Sequence, residues 1–104
     1  MTGPTPAELA RLDATAQADL VRTGQATPTE LVDATIARIE AVDPQLNAVI
    51  HPQFDEARAL AAGDLPDGPF RGVPFLVKDL DNSYEAGQPY HGGTRFLQKH
   101  DYRP

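Results

Sequence analysis

Between Val73 and Val77 the chain reads Val-Pro-Phe-Leu-Val, and Lys78, Asp79, Leu80 and Asp81 follow at once. Apart from Pro74 the run is large and apolar, with no polar residue alternating into it. A strand with one wet face alternates, so this run predicts a strand covered on both faces, as in a parallel or mixed sheet flanked by helices. No other feature constrains the fold as much, because such a strand needs neighbours along both edges. Only one other stretch reads as a strand: Leu-Asn-Ala-Val-Ile, Leu46 to Ile50, short, apolar and ended by His51-Pro52. Two strands are too few to finish a sheet. The pattern therefore predicts an α/β chain with helices packed on an incomplete sheet, cut from something longer.

The helices are announced by two nearly identical starts. Thr-Pro-Ala-Glu (Thr5 to Glu8) and Thr-Pro-Thr-Glu (Thr27 to Glu30) each place Thr at the N-cap, Pro at the first helical position and Glu three residues after the cap. In this capping box the Thr hydroxyl and the Glu carboxylate each satisfy a backbone N–H that helical bonding leaves over. The first helix is expected from about Pro6 to Arg22, closed by Gly24, with a thin stripe of Leu9, Leu12, Ala16 and Leu20. The second carries Leu31, Val32, Thr35, Ile36, Ile39 and Val42 at three- and four-residue steps, keeps Arg38 and Glu40 on its wet side, and is expected to stop at Asp43-Pro44. A third helix is expected over Gln53 to Gly63 and a fourth beginning after Thr94. The layout is thus a flexible terminus over 1–4, two capped helices over 5–45, strand-helix-strand over 46–80, and a polar loop with the start of a further helix over 81–104.

Composition removes several function classes. The 104 residues carry a formal charge of −6, and nine scattered Lys and Arg assemble no basic face for nucleic acid. There is no cysteine, which excludes disulfides and thiolate metal sites. No apolar run approaches the ~20 residues of a membrane span, and no secretory leader pattern opens the chain, so a cytoplasmic protein is expected.

Lys78 is the foremost candidate for chemistry. The carboxyl end of a buried strand is where open α/β sheets place ligands and catalytic groups, and burial there favours a neutral amine that accepts a proton. Pattern alone leaves open the alternative of a lysine snorkelling to solvent at the rim of the sheet. Asp79, Asp81, Ser83 and Glu85 alternate as in a calcium loop, but Tyr84 and Tyr90 stand where glycine and glutamate are required, so no metal site is expected. His51, His91 and His100 show no ligand spacing. Gly87, Gly92 and Gly93 are expected to serve positive backbone angles or close packing.

Four stretches in register resemble the amidase signature family. Gly-Val-Pro-Phe-Leu-Val-Lys-Asp-Leu (Gly72 to Leu80) resembles the strand that bears its catalytic lysine. Glu30 to His51 resembles its N-terminal helix and following strand, Phe54 to Ala62 the next helix, and Gly87 to Leu97 the glycine-rich stretch of its broad-specificity members and of those acting on nylon-type oligomers.

The resemblance implies the N-terminal portion of a mixed-sheet amidase-signature fold and hydrolysis of an amide bond by a serine, a second serine in a cis peptide, and a lysine. It assigns the catalytic lysine to Lys78, a supporting role to Asp79, and the border of the substrate entrance to Tyr90 and His91. It implies a small-molecule amide substrate, no cofactor, no metal, no nucleic acid and no membrane, and it allows a homodimer of the full-length enzyme. Both serines are expected beyond Pro104; Ser83, the one serine present, reads as loop polarity, and the chain alone is expected to be inactive. Two other readings stand beside this one: a fragment of an amidotransferase subunit, and a non-catalytic helical interaction module from a truncated reading frame.

Overall fold

The structure, a computed structural model, describes residues 4–80 and 84–104. It divides into two compact units, Met1–Pro74 and Phe75–Pro104. The first holds α1 (Pro6–Ala10), α2 (Ala14–Arg22), α3 (Pro28–Leu46) and α4 (Phe54–Ala62); the second holds α5 (Arg95–Lys99). No strand is assigned among the described residues.

Both capping boxes form. The Thr5 hydroxyl accepts the Glu8 N–H at 3.2 Å and the Thr27 hydroxyl accepts that of Glu30 at 3.1 Å, while each Glu carboxylate accepts the N–H of its Thr. The expected single helix from Pro6 to Arg22 is instead two. Asp13 caps a new start, its carboxylate accepting the Ala16 N–H at 2.8 Å, and the Gln17 amide joins the Leu12 N–H in donating to the Leu9 carbonyl at the end of α1. An N-cap acid in mid-pattern offers the backbone a better partner than continued helix. At the far end, Gly24 (φ 76°) follows Thr23, and the N–H groups of Gly24 and Gln25 donate to the carbonyls of Val21 and Leu20, a Schellman closure.

α3 runs past the expected stop at Asp43-Pro44. Pro44 sits in its last turn, and the helix ends at Leu46 with Asn47 left-handed at φ 51°. Asp43 also explains why Leu46 to Ile50 is not the expected strand: its Oδ1 accepts the N–H groups of Ala48 (2.7 Å) and Val49 (3.0 Å), donors that a ladder would need.

The core of the first unit centres on Leu9 of α1 and Leu31 and Ala34 of α3, with Leu20 and Val21 of α2 packed against them. α3 is the common partner of α1 and α4, and Arg58 of α4 reaches Asp33 of α3 at 3.1 Å. Arg38 and Glu40 face solvent, as their position on the helical wheel requires.

The run Val73 to Val77 forms no strand, and Phe75, Leu76 and Val77 are exposed rather than buried. Strand burial comes from neighbouring strands and helices, and the described residues include no strand to pair with it. The turn before it packs tightly. Val73 donates to the Phe70 carbonyl, and Gly72 (φ 86°) lies so close to the start of α3 that a Cβ there would stand 2.9 Å from Cγ of Pro28.

Candidate active site

All four residues singled out for chemistry lie in the second unit. Lys78 is exposed, and Asp79 beside it is half-buried. Oδ1 of Asp79 accepts the backbone N–H of His91 at 3.0 Å, joining residues twelve apart. The structure thus brings Asp79 and His91 together through a backbone group, a contact the sequence did not reveal.

His91 is held on its other side too. Its carbonyl accepts both the N–H and the hydroxyl of Thr94, each at 2.9 Å. The Thr94 hydroxyl in turn accepts the Leu97 N–H at 3.2 Å and caps α5, as its sequence position predicts. Tyr90 donates its N–H to the Tyr102 carbonyl at 3.3 Å and sits edge-on between the rings of Tyr84 and Tyr102, with centroid separations of 6.0 and 6.4 Å. Its ring also folds back over Gly92 (φ 55°), where a Cβ would come within 3.1 Å of it. Gly87 and Gly93 likewise take positive φ. Asp81 and Ser83 lie outside the described residues.

Chemically, the arrangement presents a primary amine on an exposed segment beside an ordered turn. A serine nucleophile is not supplied by the described residues, since the one serine in the chain is Ser83.

Residues 30–102, which include Lys78, match the family described as amidase. The chain belongs to the amidase family. Two relatives of this amidase chain are the 6-aminohexanoate-cyclic-dimer hydrolases of Paenarthrobacter ureafaciens and Pseudomonas sp. (strain NK87). Each is 57% identical over 68 residues, covering 65% of the chain and 13% of the hydrolase. A solved structure of 6-aminohexanoate cyclic dimer hydrolase complexed with substrate matches with a TM-score of 0.80 at 45% identity, over 89% of this chain and 19% of that one. The amidase chain therefore spans less than a fifth of the length of these relatives. Its fold is that of the corresponding amidase segment. No helix among the described residues is long and apolar enough to cross a membrane.

Proposed function

We propose that this chain is the N-terminal portion of an amide hydrolase in which Lys78 carries the proton, and that the pair of serines completing the reaction lies downstream of Pro104. The match of residues 30–102 to the amidase family, with Lys78 inside it, carries the reading. In the complete enzyme the amine of Lys78 takes a proton from the serine relay as the nucleophile attacks the amide carbon, and returns it as the amine leaves; backbone N–H groups steady the tetrahedral oxyanion. A weak nucleophile such as a serine hydroxyl needs that base, and a lysine without a serine forms no acyl intermediate. The substrate is a small amide, and the identity to 6-aminohexanoate-cyclic-dimer hydrolases favours amides of amino acids with long alkyl chains. The exposed segment Phe75 to Val77 becomes a strand of a mixed sheet once the rest of the enzyme covers it. The enzyme works in the cytoplasm without a cofactor.

The test is hydrolysis of the 6-aminohexanoate cyclic dimer, acetamide and benzamide by the full-length protein. Lys78→Ala lowers turnover by at least ~10²-fold, the scale of losing a positioned base. Lys78→Arg fails nearly as badly, because a guanidinium stays protonated. Substrate binding changes much less than turnover. Full activity in Lys78→Arg would make Lys78 a rim lysine, and a full-length protein that cleaves no amide would leave the interaction-module reading.

A further inference from the structure

The geometry points to Asp79 as a positioning residue that clamps the Tyr90–Thr94 turn to the segment bearing Lys78, acting as a hydrogen-bond acceptor and not through its charge on Lys78. Three observations carry this. Asp79 is half-buried while Lys78, its neighbour in the chain, is exposed, so the two side chains stand in different surroundings. The Asp79 carboxylate accepts the His91 N–H across a twelve-residue separation. That same His91 is bonded on its carbonyl side by Thr94, which caps α5, so the clamp continues into regular structure.

The clamp also controls Tyr90. Its ring packs onto Gly92, the residue just after the clamped amide, so closely that a Cβ there would stand 3.1 Å from it and require the ring to shift. A turn with positive φ at Gly92 and Gly93 has little stiffness of its own, since glycine occupies such angles as readily as others. The bond to Asp79 selects one arrangement of the turn, and with it one position of the Tyr90 ring relative to the Lys78 segment. The consequence for catalysis rests on the amide hydrolase reading above; the clamp itself does not.

The full-length protein, Asp79→Ala and Asp79→Asn are compared by backbone hydrogen exchange over residues 88–94 and by steady-state kinetics across pH. The amide oxygen of Asn accepts a backbone N–H as a carboxylate does, but carries no charge. Asp79→Ala is expected to speed exchange at His91 by at least ~10-fold, the scale of losing a hydrogen bond to a charged group. It is also expected to raise KM by about 10-fold with a smaller fall in kcat, as loosened substrate positioning requires. Asp79→Asn restores exchange protection and KM most of the way, with the pH–rate profile in place. Unchanged exchange at His91 in Asp79→Ala overturns the clamp. Asp79→Asn as damaging as Asp79→Ala, with a displaced pH–rate profile, overturns the acceptor role and assigns Asp79 to Lys78 by charge. If the wild type cleaves no amide, the functional reading fails while the exchange measurement still decides the clamp. Unaltered thermal unfolding of the helical first unit separates either result from general misfolding.

Discussion

Leu31, Val32, Ala34 and Ile36 of α3 are buried, whereas Phe75, Leu76 and Val77, in a run at least as apolar, are 84%, 65% and 50% exposed. Composition does not distinguish the two stretches. What differs is where each finds its partners. A helix satisfies its own backbone, and α3 needs only side-chain cover, which α1, α2 and α4 supply from within the same unit. Extended backbone satisfies nothing internally, so its burial waits on other strands and on the helices that flank them. One stretch finds its cover within the helical unit; the other stands exposed.

If that contrast is right, the largest effect on stability falls at the centre of the helical core. Leu31 is 1% exposed, and Leu31→Ala is expected to cost about 2–5 kcal/mol, read from the denaturant midpoint of helix loss. A cost below ~1 kcal/mol would mean that the helices are held by something other than the contact of α1, α2 and α3.

The next effect tests the seam between the two kinds of region, the turn that ends the helical unit. Gly72→Ala puts a Cβ at 2.9 Å from Pro28 and asks a side chain to hold φ 86°, so a loss of about 1–3 kcal/mol is expected. A neutral result would show that the turn swings free of α3 at no cost.

A smaller loss is expected at the helix start. Thr27→Ala removes the acceptor for the Glu30 N–H and costs about 1 kcal/mol, and Thr27→Ser recovers most of it. Equal losses in the Ala and Ser variants would assign the effect to packing of the Thr methyl instead of the cap.

These magnitudes follow what could be read in advance. The capping boxes at Thr5 and Thr27, the closing Gly24 and the cap at Thr94 are local codes, each complete within a few residues, and all four were legible. The break at Asp13 and the overrun through Pro44 were not, because each depends on which of two local options wins: Asp13 caps when it could continue a helix, and Asp43 gathers the donors of Ala48 and Val49 beyond a proline that usually ends one. The family was legible from motif order. The bond from Asp79 to His91 was not, since no periodicity links a side chain to a backbone group twelve residues away.

The smallest effect tests the contrast most directly, because it is expected at the most exposed of the large apolar side chains. Phe75→Ser on this chain is expected to change unfolding free energy by less than ~0.5 kcal/mol, since a ring already in water loses little by leaving. The same substitution in the full-length protein should cost about 3 kcal/mol or more if the run is covered there as a core strand, the scale of removing a buried aromatic ring. The comparison needs both proteins and one measurement, denaturant unfolding. A large loss on the short chain would mean that Phe75 is buried in solution and that the contrast with Leu31 is false. Indifference in both would mean that the run is never covered, and an apolar surface of that size then needs a partner other than the rest of its own chain.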